Sequence, residues 1–168
     1  MIDVRKLEQQ EYDFFMDMHY ESIYILQGKP PKHELLNAPN LKKYSENWGR
    51  KGDMALIALY DNIPIGAVWY RLFDETNKGY GFIDCETPEL GIAIHSNFRQ
   101  QGLGLRLMEE IIQQAISDGY KSLSLSVDPE NQVAVQLYEK LGFEYFGVSG
   151  TSWTMKLNFK INSTNGTR

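Results

Sequence analysis

The run Arg99-Gln100-Gln101-Gly102-Leu103-Gly104 holds the residue types from which a polypeptide builds an anion cradle. Two glycines let a backbone approach a ligand closely, because no Cβ stands in the way. If a helix begins here, its first N–H groups lack internal acceptors and carry partial positive charge. Such a mouth can grip a diphosphate. Arg99 adds a forked donor at the edge, and Arg106, one turn on, can reach the same mouth. A bare Gly-x-Gly fits tight packing of helix on sheet equally well. Gly-x-x-x-x-Gly-Lys-Ser/Thr does not occur, which removes the P-loop nucleotide hydrolases. The dinucleotide fingerprint needs a third glycine where Leu107 stands, and the run falls mid-chain rather than after a first strand.

Proton-transfer groups lie ahead of this run. Asp84, Glu86 and Glu89 precede it, and His95 adjoins it. His95 matches a general base by pKa, but its place beside the loop puts it far from chemistry at a ligand's other end. The single cysteine, Cys85, belongs to no Cys-x-x-Cys or His/Cys cluster, so it reads as a small filler and no metal is expected.

These residues need elements to carry them. Ile2 to Lys6 alternates and reads as a strand, and Glu8 to about Gln27 has helical spacing that Gly28 and Pro30-Pro31 stop. Leu41, Tyr44 and Trp48 suggest a second short helix. Ala55–Tyr60 and Ile63–Arg71, joined by Asp61-Asn62, form a hairpin. Asp74 to Gly81 is a loop, and Glu89 to His95 is a strand. Leu103, Leu107, Met108, Ile111, Ile112 and Ala115 make one apolar helix face, closed by Gly119. Leu123, Leu125 and Val127 alternate with serines. Val133, Ala134, Leu137, Tyr138 and Leu141 mark a last helix, closed by Gly142, with Phe143 packing back on its final turn. Phe143–Val148 and Ser152–Phe159 read as a strand pair. The expected fold is α/β (α+β): one domain over 1–160, with about seven strands in a mixed, mostly antiparallel sheet and about four flanking helices, then a polar tail at 161–168.

Composition sets outer bounds. With 168 residues, 17 basic and 22 acidic side chains, the net charge is −5, which argues against nucleic-acid binding. No apolar signal core opens the chain, and no run approaches the ~20 apolar residues a membrane span needs, so no membrane partner and a cytoplasmic location are expected.

Two longer runs then add to one another. Pro88-Glu89-Leu90-Gly91-Ile92-Ala93-Ile94-His95, followed by Ser96-Asn97-Phe98 and the glycine loop, resembles motif A of the GNAT superfamily of N-acetyltransferases. The run from Asn131 to Phe143 resembles that family's motif B, Asn-x-x-Ala-x-x-Leu-Tyr-x-x-x-Gly-Phe. The resemblance rests on specific residues in the second half of the chain and on element order in the first.

That resemblance implies acetyl-CoA as co-substrate and an amine acceptor. Backbone N–H groups of Gln100, Gln101, Gly102, Leu103 and Gly104 would hold the diphosphate, with Arg99 at the edge. Gly91, Ile92, Ala93 and Ile94 would pair with the pantetheine arm where the strand splays from its neighbour, and Asn131 would bond the same arm. An N–H at Ile92 or Ile94 would polarise the thioester carbonyl. Tyr138 is the candidate acid, since a phenol near pKa 10 can protonate a thiolate whose acid titrates near 8.5; an inner-face aromatic is the plain alternative. Glu89 is the candidate base, useful only if burial raises it above about 4.3 or water relays the proton; a strand-end acid is the plain alternative, and Asp84 or Glu86 could substitute. Tyr20, Tyr24, Trp48, Trp69, Arg71 and Tyr80 are candidate acceptor walls. The expected function is acetylation of a small-molecule primary amine. Peptide or protein acetylation, at an N-terminus or a lysine, and non-catalytic acyl-CoA sensing are the alternatives. The apolar final strands could pair in a homodimer.

Overall fold

In the computed structural model residues 1–160 are described, and the expected polar tail at 161–168 lies outside them. The chain runs β1 (Ile2–Lys6), α1 (Tyr12–Ser22), α2 (Lys32–Leu36), β2 (Met54–Tyr60), β3 (Ile63–Arg71), β4 (Glu89–Ile94), α3 (Leu103–Ser117), β5 (Ser122–Val127), α4 (Gln132–Lys140), β6 (Glu144–Ser149) and β7 (Ser152–Asn158). The strands form one seven-stranded sheet in the order β1-β2-β3-β4-β5-β7-β6. All neighbours are antiparallel except β4 and β5. The expected mixed, mostly antiparallel sheet with four helices is thus what the chain builds.

Period-two alternation sorts the sheet into two faces. Leu56, Ala58, Val68, Tyr70, Leu90, Leu123 and Leu125 pack with Leu103, Leu107, Met108 and Ile111 of α3 and Val135 and Tyr138 of α4. Ala55, Ala67, Trp69 and Ala93 pack on the other face with Phe15 and Met18 of α1. Asp61 and Asn62 both adopt positive φ, 50° and 68°, the geometry of a tight turn that follows strand twist, so the β2–β3 hairpin closes in two residues.

The first half departs from expectation. α1 stops at Ser22, five residues before Gln27, because its end is sealed there: Ser22 Oγ bonds His19 O at 2.7 Å and Lys29 Nζ bonds Tyr20 O at 2.9 Å. α2 was not foreseen; Pro30-Pro31 acts as its entrance rather than only as a stop, which suits a residue whose missing N–H costs nothing there. The expected helix over Leu41–Trp48 is only a 3₁₀ turn, Lys42–Tyr44, since Asn47 and Gly49 take positive φ of 53° and 113°. Arg71 holds this segment. It is 1% exposed, and its Nη1 donates to Lys43 O and Glu46 O, each at 2.8 Å. Its Nε and Nη2 meet Asp53 at 2.9 and 2.8 Å. Removing one member of a buried ion pair strands the other charge, so Asp53→Ala is expected to lower stability by about 3–5 kcal/mol in urea unfolding.

Candidate active site

β4 and β5 share one register pair, Glu89 with Ser124, and then part. Beyond that point Leu90, Gly91 and Ile92 of β4 face Leu125, Ser126 and Val127 of β5 across a cleft of about 460 Å³. His95 N bonds Ile65 O at 2.7 Å on the β3 side, so by alternation the N–H groups of Ile94 and Ile92 turn toward the opening. Of the two carbonyl-polarising candidates, Ile92 lines the cleft.

Glu89, Gly91 and Ala93 stand opposite Arg71, Trp69 and Ala67 on the α1 face. Gly91 has no side chain for a packing reason: a Cβ there would lie 2.7 Å from the Trp69 indole. Glu89 is buried and lines the cleft. Burial, countered by Tyr44, the Gly81 N–H and Lys43, raises its pKa to about 7. Tyr44 donates to Oε2 at 2.8 Å, while Oε1 has no hydrogen-bond partner. The Gly79 main chain packs on that orphan oxygen, for a Cβ at Gly79 would stand 2.2 Å from it and 2.8 Å from the Tyr44 hydroxyl. A Cβ at Gly81 would likewise stand 2.8 Å from the Leu125 main chain. Two glycines thus let the loop before β4 wedge between Glu89 and β5. Sequence reading missed both glycines and Tyr44.

Tyr138 reaches the same cleft from α4, on the opposite face of the sheet. Burial pushes its phenol up to about 12, so it enters chemistry protonated. Asn131 caps α4, its Oδ1 accepting the Ala134 N–H at 3.4 Å, and also lines the cleft.

The glycine loop is exposed at Gln100, Gln101 and Gly102. Gln100 and Gly102 hold positive φ, 61° and 84°, which turn the chain into α3. Arg106 N–H donates to Gly102 O at 3.2 Å, so the N–H groups of Leu103 and Gly104 precede the first intrahelical donor. Leu103 itself is core, and a Cβ at Gly104 would make only ordinary contacts, 3.4 Å to Leu137 and 3.5 Å to Ile94. A Cβ at Gly102 would meet nothing within 4 Å, so tight packing demands glycine at neither Gly102 nor Gly104, and the backbone turn favours it at Gly102. Arg99 stays at the edge, donating to Ile94 O at 2.9 Å and pairing with Glu21 at 3.3 Å. Arg106 does not reach the mouth: it donates to Ile2 O at 2.9 Å and pairs with Glu110. Ala93 points away from the cleft into the α1 core, and Ile94 packs beneath α3.

Tyr24, Trp69, Arg71 and Tyr80 line the cleft as expected of walls, joined by Ile23, Ile25, Leu36 and Leu41. Tyr20 bonds Pro30 O, and Trp48 stacks in an edge-on cluster with Phe15; neither lines it. His19 does, and burial with the nearby Arg71 charge depresses it to about 3, leaving it neutral. Asp84 accepts the Glu86 N–H in a turn, and neither joins the cleft. His95 caps a short turn through Asn97 N. Cys85 is exposed, not a filler.

The profile of the Acetyltransferase (GNAT) family matches residues 12–143. The chain belongs to the GNAT family. Over 94 residues it is 32% identical to "Probable N-acetyltransferase san" of Drosophila melanogaster, covering 55% of this chain and 48% of that one. Over 58 residues it is 38% identical to the [Ribosomal protein bS18]-alanine N-acetyltransferase of Escherichia coli K12, covering 34% and 39%. The chain therefore spans about half the length, or less, of these curated relatives. The crystal structure of the paiA N-acetyltransferase of Thermoplasma acidophilum with coenzyme A superposes with a TM-score of 0.67 at 20% identity, covering 95% and 99%. The fold of this chain thus coincides with that of a solved N-acetyltransferase.

Two outcomes follow from this geometry. Glu89 binds protons more tightly folded than unfolded, so its ionisation costs stability as pH rises from about 4.5 through 7. Glu89→Gln is expected to raise the melting temperature at pH 8, by up to about 3 kcal/mol of stability, and to gain little at pH 4. Gly79→Ala drives a methyl into Glu89 Oε1 and the Tyr44 hydroxyl, and is expected to lower the melting temperature by several degrees, about 1–3 kcal/mol.

Proposed function

We propose that this chain moves an acetyl group from acetyl-CoA to a primary amine of a small molecule by direct attack. One observation carries the reading: Glu89 and Tyr138, from opposite faces of the sheet, line the same cleft where β4 and β5 part. The exposed loop Gln100 to Gly104, with its helix-mouth N–H groups and Arg99 beside it, suits the diphosphate of coenzyme A, and Gly91, Ile92 and Asn131 suit the pantetheine arm.

The chemistry follows from the side chains. An alkylamine is cationic at neutral pH and must lose a proton before it attacks. Glu89, titrating near 7, takes that proton at useful driving force, directly or through one water. The nitrogen forms its bond to the carbonyl carbon while the Ile92 N–H steadies the oxygen. The carbon–sulfur bond breaks, the sulfur receives the Tyr138 phenolic proton, the nitrogen releases its second proton to solvent, and solvent returns one proton to Tyr138. Net products are an acetamide, a free thiol and one released proton.

The acceptor end is closed over by Ile23, Tyr24, Ile25 and Leu36 and walled by Trp69, which supports a compact, partly apolar amine. A peptide acceptor is the second reading. It is favoured by a groove of about 530 Å³ that shares Asn40, Tyr80 and Ser149 with the cleft and continues over Phe82, Phe146 and Val148. The bS18-alanine relative is named for a protein acceptor.

The test is a panel of small amines and peptide N-termini with acetyl-CoA, following thiol release. Turnover on small amines supports the first reading, and turnover on peptides alone supports the second. Glu89→Gln and Tyr138→Phe are each expected to lose about 100-fold or more in kcat with acetyl-CoA affinity unchanged. Tight acetyl-CoA binding with no turnover on any acceptor would mark a sensor and end the catalytic reading.

A further inference from the structure

Tyr44 occupies a position that the acetyl-transfer chemistry itself does not require. It lies between Lys43 and Glu46, whose carbonyls Arg71 binds, and Asp53 holds Arg71 from behind. Its ring packs edge-on against Phe73, with centroids 5.1 Å apart. Its hydroxyl is a junction: it accepts the Tyr80 N–H at 2.6 Å and donates to Glu89 Oε2 at 2.8 Å. Burial first, and then the Glu89 charge, hold this phenol far above the ordinary tyrosine range. Tyr44 therefore keeps its proton, and with its oxygen already accepting from Tyr80 it has one direction in which to donate. A donor fixed on a buried carboxylate favours the ionised form and fixes the rotamer.

The geometry points to Tyr44 as a positioning residue that orients Glu89 and lowers its proton affinity, with the Arg71–Asp53 pair as the anchor that keeps Tyr44 in place. This rests on Glu89 being the base. The Gly81 N–H also favours the Glu89 carboxylate, but it is main chain that Tyr44→Phe leaves in place, and the remaining polar groups around Glu89 do not supply the Tyr44 bond. Lys43 Nζ is engaged with Lys78 O, and Arg71, across the β3 pairing, is committed to Asp53. Ser124 of β5 bonds Pro88 O, Tyr80 presents its N–H to Tyr44 rather than its hydroxyl to Glu89, and His19 across the cleft is neutral.

Tyr44→Phe keeps the ring and removes only the donor. The acid limb of its kcat/KM profile is expected to move up by about one pH unit, so that activity near pH 6 falls about tenfold while the high-pH plateau and acetyl-CoA affinity hold. A folding defect alone would scale the whole profile without moving the limb, and that result overturns the inference. Carboxyl carbon NMR of labelled protein, with Glu89→Gln identifying the signal, reads the same quantity without any acceptor. A Glu89 midpoint that rises in Tyr44→Phe supports the role, and one that stays put overturns it. If Tyr44→Phe does not fold, Arg71→Lys removes the bonds to Lys43 O and Glu46 O while keeping a cation beside Asp53. An upward but smaller shift of the same midpoint is expected there, and none overturns the anchor and with it the role. Should Glu89→Gln turn over as fast as the parent, the base assignment fails on its own, and the carboxyl titration still decides what Tyr44 does.

Discussion

The parting of β4 from β5 after a single register pair is the constraint on which the rest of this structure depends. Side chains on a strand alternate between faces, so Glu89, on the α1 face, and Tyr138, on the α4 helix packed against the other face, would be walled apart by a continuous sheet. Once the strands separate, one cleft passes through the sheet and both groups border it. The same separation turns the N–H groups of Ile92 and Ile94 toward open space. Buried main-chain donors need partners, so a strand edge of this kind is an invitation to an extended, amide-bearing ligand.

What holds the opening apart is a loop that bears on it at two glycines. Gly79 lies against Glu89, and Gly81 against the Leu125 main chain, each too close for a Cβ. Thr154 of β7 bonds Tyr80 O, tying the loop to the far side of the gap. The wedge also desolvates Glu89, which is why a residue at a strand terminus has the proton affinity of a buried acid.

Around this wedge the interior treats charge in two ways. Arg71 and Asp53 remain an ion pair because the guanidinium fork satisfies both carboxylate oxygens and two carbonyls besides. Glu89 and His19 have no counter-ion of that kind, so burial moves each toward its neutral form. The fixed pair serves as a scaffold, His19 stays neutral, and Glu89, raised to about 7, is the one of the three sites placed to exchange protons. Tyr44 links the two regimes.

Much of this was legible from residue order alone. Apolar alternation and helical spacing determined the strands and the two long helices, because those periods report which face is buried whatever lies opposite. The glycine loop was legible because a helix mouth is a local feature set by a few neighbouring residues, whereas Asn131 and Tyr138 were singled out by the resemblance of their run to motif B. Glu89 was singled out as a carboxylate, but its proton affinity was not, since the loop packing at Gly79 and the opposing hydrogen bond from Tyr44 come from 10 and 45 positions away. The same limit hid the short α2, the true fate of Leu41–Trp48 and the turning away of Arg106 toward β1. Sequence fixes what a segment prefers by itself. Tertiary packing decided where the sheet opens and which side chains border the gap, because those depend on contacts between residues that no local pattern brings together.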